Sequence, residues 1–314
     1  ADDGAVAVEA GHMLSGASVT GRKVSLNLSG DLCSGASVRS TGGALVADIS
    51  GDMKGSLESA ENLRLTVGGD VTGAIDVTKT IAISCRGDLK TPVETQAGGV
   101  AIDALGDVGG SGSPIPIQAS KAVEILGWSD VNAHITCKGY VQVFSAGAFE
   151  GAIHSDGDVS VDAWSSVMVN TSNAEGDGPA GGAEAGRAVI TAMGDIDGEI
   201  WAAKDITVTA DGNVSADVDS GAAVQMEAAG EISGQVMAEG RITIRARDVK
   251  PHGDITSNSG AVDILAIQAV DSGENAITAE TSVSVIAGTT LRGAANLDED
   301  VQPDRYVSVS SGDK

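Results

Sequence analysis

The chain has 314 residues, 42% hydrophobic but only 2% aromatic, and a formal net charge of -25 from 44 acidic and 19 basic residues. So acidic a surface repels nucleic acid and anionic lipid, and no apolar run is long enough to span a bilayer as a helix. Domain-size arithmetic alone would allow two domains, but the internal order of the chain points to one repeat array.

Alternation is present from Ala5, Val6, Ala7 and Val8 onward. A repeat of about 18 residues then runs along the chain, clearest between Gly51 and Lys90. A Gly-Asp pair opens each copy there: Gly51-Asp52, Gly69-Asp70, Gly87-Asp88. Small or apolar residues recur at offsets +1, +5, +7, +11, +13 and +15 from the aspartate. After Asp70 these are Val71, Ile75, Val77, Ile81, Ile83 and Cys85. Asp195 repeats the scheme with Ile196, Ile200, Ala202, Ile206, Val208 and Ala210, and Glu231 with Ile232, Val236, Ala238, Ile242, Ile244 and Ala246.

Inside each copy the period is two, and β-branched residues fill the apolar slots, as a half-buried strand requires. One copy cannot bury its apolar face alone, whereas stacked copies can. The expected fold is therefore all-β, a single right-handed parallel β-helix over residues 1–291, followed by an acidic linker and C-terminal strand over 292–314. The turn slot is filled in order by His12, Asp31, Asp52, Asp70, Asp88, Asp107, Asp130, Ala148, Ser166, Asp195, Asn213, Glu231 and Asp248. With two more degenerate copies this predicts roughly 15 coils and a rod on the order of 70 Å long. Two coils are expanded, around 109–116 and over 171–186, by Gly-, Ala-, Ser- and Pro-rich loops that should leave from a similar edge. Insertions of this kind often mark a working face, and equally often are tolerated decoration.

The three cysteines, Cys33, Cys85 and Cys137, lie in different slots and different coils, too far apart for a disulfide. Cys85 and Cys137 fall on inward slots and read as small core residues. The four histidines share no column and make no metal-ligand set. The aspartate column Asp31, Asp52, Asp70, Asp88, Asp107 and Asp130 has two readings. Neighbours about 5 Å apart repel by roughly 1 kcal/mol even in water, so something must hold them. Each carboxylate could accept a backbone N–H two residues on and fix its own turn. Alternatively Ca²⁺, the one cofactor considered, could bridge carboxylates of adjacent coils, although the GGxGxDxUx signature is absent.

No catalytic motif occurs, and the basic residues form no column opposite paired carboxylates. Trp128 and Trp164 share one slot with Phe144 nearby, either as corner filler or as a patch for a partner or sugar; Trp201 should face outward. The phrases GDVTGAIDVTKTIAI, AKDITVTADGNVSADV and GEISGQVMAEGRITI resemble the haemagglutinin-type repeats of filamentous adhesins and the bactofilin-like polymer-forming proteins. The resemblance implies a right-handed β-helix and, for the second family, end-to-end filaments; it carries no catalytic residues.

The sequence thus predicts a non-enzymatic structural protein, extracellular or at the cell surface, forming a homopolymer without a membrane span or nucleic-acid partner. The ADDGAVAV start resembles the product of signal cleavage. Assembly is expected through Ala5, Val6, Ala7 and Val8 at one end and through Tyr306, Val307, Ser308 and Val309, a spare strand, at the other. The alternatives are a carbohydrate-active or carbohydrate-binding β-helix and an adhesin stalk that contacts cell-surface glycans without polymerising.

Overall fold

The computed structural model describes residues 4–110, 112–170, 186–297 and 306–311. Every regular element among them is a β-strand, and none is a helix. The strands stack as the parallel coils of a β-solenoid, about 15 turns in all. The chain divides into two compact units, 1–156 and 157–314. The larger part of the 171–186 insertion and the linker at 298–305 lie outside the described residues.

In the first unit each coil contributes one strand to each of two parallel sheets. Ile81–Cys85, Val100–Ala104, Val123–Gly127 and Val141–Ser145 are successive rungs of the first sheet. Ile115–Ala119, Val131–Cys137 and Phe149–Ser155 are successive rungs of the second. Between the sheets, one residue after the turn slot, a single bridge forms a third, narrow column: Met13, Leu32, Met53, Val71, Leu89, Val108 and Val131. Pairing is in register, so like offsets meet: Ile81 pairs Val100, which pairs Val123, which pairs Val141. Parallel pairing at fixed offset places each inward residue on its equivalent in the next coil, and the core becomes a set of stacked columns.

The second unit repeats the plan. Ala188–Ala192, Ile206–Ala210, Val224–Ala228 and Ile242–Ala246 pair in parallel along one sheet. Ile196–Ala202 and Val214–Ser220 pair along the other. Gly198, inside the strand Ile196–Ala202, has φ 125°, and a Cβ there would stand 1.9 Å from the Val169 carbonyl oxygen, so the position takes glycine. The coils continue past residue 291. Thr290–Leu297 pairs with Ala269–Ala279, and Tyr306–Ser311 pairs with Ser282–Ala287 as a further rung of the first-type sheet. Gly293, Ala294 and Ala295 replace the branched residues that mark a strand in sequence, which hides this coil from periodicity. The C-terminal strand is thus not detached but seated on its own chain.

Burial follows the predicted register. Val71, Ile81, Ile196, Val208, Ile242 and Ile244 are fully buried, and Ile75, Ile83, Ile200, Ile206 and Val236 nearly so. The intervening residues face out, as in Leu45–Ile49, whose pattern alternates strictly. Cys85 and Cys137 are buried free thiols, and burial pushes the Cys85 thiol up to about 12, so it stays protonated and inert. Replacing Ile83 by Asp should destabilise the first unit by at least about 3 kcal/mol, since it buries an unpaired charge. Ser84→Asn, one residue along and exposed, should leave the melting temperature unchanged. Thermal unfolding of the pair measures the register directly.

Candidate functional site

The aspartate column is a hydrogen-bonded ladder that links coil to coil. The Asp52 amide donates to Asp31 Oδ1 at 2.8 Å, Asp70 to Asp52 at 3.1 Å, Asp88 to Asp70 at 2.9 Å and Asp107 to Asp88 at 2.9 Å. Asp130 and Ala148 continue it onto Asp107 and Asp130 at 3.3 and 2.8 Å. At the other end His12 substitutes, its Nδ1 accepting from the Asp31 amide at 2.9 Å. This corrects the expectation of a local turn bond. The donor lies not two residues on but one coil on, because stacking brings the next corner's amide closer than the chain's own. Within the second unit Asp195 accepts from the Asn213 amide at 2.6 Å and Asn213 from Glu231 at 2.9 Å.

The ladder also explains the glycine of the Gly-Asp pair. Gly69 has ordinary dihedrals, yet a Cβ on it would stand 2.1 Å from Asp52 Oδ1. Glycine is needed there for room, so that the carboxylate below can reach the amide above. Where Ser129 replaces it, the serine hydroxyl itself donates to Asp107 Oδ1 and the Asp130 amide sits farther off.

The other carboxylate oxygen takes cations from the same chain. Lys54 Nζ lies 2.8 Å from Asp52 Oδ2, and Lys90 Nζ 2.6 Å from Asp88 Oδ2. These lysines, with the amide from the next coil, hold the Asp52 and Asp88 carboxyls below the usual carboxylate range. Asp70, between them, carries Thr72 at the equivalent place, so the lysines fall on alternate coils. Among the described residues, no group of three or more His, Cys, Asp or Glu side chains converges as a metal site. The structure therefore brings the six aspartates of the Ca²⁺ reading into one column but gives each Oδ1 to a backbone amide.

A second corner device went unread in the sequence. Ser40 Oγ is buried 2.6 Å from the Gly43 carbonyl and 2.8 Å from that of Arg22. Ser145 makes a like pair where its first-sheet strand ends, and Ser220 repeats the Ser40 pair in the slot that Ser40 occupies, at the end of the second-sheet strand. Cys137 fills this slot with a thiol directed at the Gly139 carbonyl. The slot is offset +7 of the repeat and also holds Val77, Ala202 and Ala238, so its hydrogen-bonding members do not recur as one residue type.

At the assembly positions, Ala5–Ala10 pairs with Lys23–Leu28, Val6 on Val24 and Val8 on Leu26. Val6 and Val8 are half-buried, whereas Val24 and Leu26 are 2% and 1% exposed. Tyr306 to Val309 lie in the strand seated on Ser282–Ala287. On the outward face, Trp128 meets Phe144 edge to face with ring centroids 6.1 Å apart, while half of Trp128 remains exposed. Trp164 is 53% exposed in the second unit, and Trp201 is half-buried between the inward Ile200 and Ala202.

No protein-family model, curated protein or solved structure compared with this chain matches it. Its likeness to adhesin and bactofilin repeats stands at the level of a β-helix repeat protein.

The ladder yields two expectations. Asp52→Ala should cost about 1–3 kcal/mol by stranding the Asp70 amide, whereas Asp52→Asn should cost less, since Asn213 already does this work. Gly69→Ala should also destabilise, and Gly69→Ala with Asp52→Ala should fall short of the sum, because the second change removes the obstruction to the first. For pH, the lowered folded values of Asp52 and Asp88 mean their stabilisation is present above the unfolded value of about 4 and lost as pH falls through the folded values. A Lys54→Met, Lys90→Met variant should be slightly less stable than the parent at neutral pH, because exposed pairs are screened by solvent. Melting curves of the two should converge once both carboxyls are protonated.

Proposed function

We propose that the protein is a non-enzymatic structural solenoid, extracellular or at the cell surface, whose copies assemble end to end. The observation that carries the reading is the constant parallel register, in which Ala5–Ala10 pairs with Lys23–Leu28 as later strands of that sheet pair with the next. Like coils stack through main-chain bonds with matched inward columns, Val6 on Val24 and Val8 on Leu26, and coils of two copies can stack by the same pairing. The partner of Ala5–Ala10 is then the coil of a second copy that ends in the strand Tyr306–Ser311, because that coil carries the same two-sheet plan. A head-to-tail contact of this kind grows a filament when its rotation does not close a ring.

The acidic surface supports growth at the ends over association at the sides. With a net charge of -25, lateral approach of two copies is repelled, whereas the end coil presents apolar side chains and backbone. Ca²⁺ would act on such a column as a screening counterion, so it and an equal ionic strength of Na⁺ should raise stability alike.

Val6→Lys with Val8→Lys places two charges at the outer end of the columns that run through Val24 and Leu26. The parent should form filaments visible by electron microscopy and sediment as a polymer; the double variant should sediment as a monomer that keeps the parent's β-sheet circular dichroism. A parent that stays monomeric at high concentration overturns end-to-end assembly and leaves a stalk that displays its faces.

A further inference from the structure

The outward face of the first unit's first sheet, the one holding Ile81–Cys85, is not flat. Two outward columns cross successive coils. Arg64, Ala82, Ala101 and Glu124 follow one another in one, and Thr66, Ser84, Asp103 and Leu126 in the other. In the first, a long residue stands at each end with two alanines between; in the second, Thr66, Ser84 and Asp103 run up to the larger Leu126. The result is a trough of about 590 Å³, with Ala82, Ser84 and Ala101 as its floor, Arg64 at one end, and Glu124, Leu126 and Phe144 at the other. Three coil steps separate the Arg64 coil from the Glu124 coil, about 14 Å along the stacking direction. The volume falls in the range of small-molecule sites.

What fits is constrained by charge and by the backbone. The lining holds one guanidinium, Arg64, against two carboxylates, Asp103 and Glu124, on a chain of net charge -25, so an anionic ligand is disfavoured. The floor strands Ile81–Cys85 and Val100–Ala104 are paired along both edges, so their amides and carbonyls are committed to the sheet. An extended peptide, which binds sheets chiefly through main-chain bonds at an edge, gains nothing of that kind here. Side chains alone must hold the ligand, which favours a chain dense in hydroxyls. Arg64, Asp103 and Glu124 supply donors and acceptors, and Glu124 is held in place by the Tyr140 hydroxyl. Phe144 is braced edge to face by Trp128 and offers an apolar wall for a sugar ring.

We infer that this trough binds a short stretch of an uncharged, linear glycan lying along the stacking direction. The site does not depend on end-to-end assembly and holds equally for a monomer.

The test is titration calorimetry of the full chain with the linear hexasaccharides of glucose and of N-acetylglucosamine. The galacturonic acid hexamer serves as the anionic arm, and a neutral serine-rich peptide as the peptide arm. At least one neutral hexasaccharide should bind with Kd of about 0.1–1 mM, and the anionic one roughly tenfold or more weakly. Ala101→Arg, which fills the floor, and Phe144→Ala, which removes the wall, should each weaken binding at least about tenfold. Melting temperatures of both variants verify that the coils remain stacked. The inference is overturned if neither neutral hexasaccharide binds at about 10 mM, if both variants bind as the parent does, or if the peptide or the anionic hexamer binds more tightly.

Discussion

At the corner of a coil the strands end, and with them the regular exchange of amide and carbonyl between rungs. The amide of the turn residue points along the stacking direction with no carbonyl above it. Here a carboxylate from the previous coil takes it, and this one bond decides the rest of the repeat. It requires a short acceptor side chain in the turn slot, which is Asp or Asn in most coils. It favours a residue without Cβ immediately before, so glycine stands there at most rungs, and Ser129 is accommodated with a longer bond. Once both are fixed, the following residue must turn inward, as Val71 and Leu89 do. The strands on either side are then held at constant offset.

A column of like charges is the consequence, and magnitudes decide whether it can stand. Adjacent carboxylates at about 5 Å repel by roughly 1 kcal/mol in water, less with salt. A hydrogen bond to a charged acceptor contributes about 1.5–3 kcal/mol, and losing it would strand an amide. The bond therefore prevails at each rung, and Lys54 and Lys90 lower the remaining repulsion on alternate coils. Asn213 shows that a neutral amide can hold the same position. The preference for Asp then follows from the stronger charge-assisted bond, and it leaves an acidic edge that discourages lateral strand pairing.

The columns of the core were legible because they obey a period of two with branched residues in the inward slots. Ile83, Val208 and Ile244 lie where alternation put them. The Gly-Asp pair was legible as a turn but not as a ladder. Rules for turns come from single chains, where the nearest amide is two residues away, and only stacking makes the residue 18 positions on the nearer partner. The serine corners were invisible for a different reason: the slot accepts Ser40, Ser59, Thr95 or Cys137 alike, so no residue type recurs. The last coil was hidden because Gly293 to Ala295 lack branched side chains. The trough could not be read at all, since Ala82 and Ala101 are unremarkable outward residues until register sets them side by side.

That last point bears on where function can be written in such a fold. Inward slots are bound by volume, since each side chain is packed above and below by its equivalent. Corner slots are bound by the ladder. Only the outward slots are free, and in a solenoid they fall in straight columns whose relief is the list of side-chain lengths in successive coils. Two small residues in a row cut a trough, and a large one beyond them makes a wall. An outward aromatic can be braced by another, as the half-exposed Trp128 meets Phe144 edge to face. In a chain only 2% aromatic, placing that pair beside the trough of the first sheet concentrates scarce contact area at one spot. The coil of Ala5–Ala10, where the proposal places the contact between copies, is a second such surface, held to its neighbour by main-chain pairing and not by outward side chains. Sheet face and coil end are thus physically independent surfaces, and a substitution in one leaves the hydrogen bonds of the other untouched.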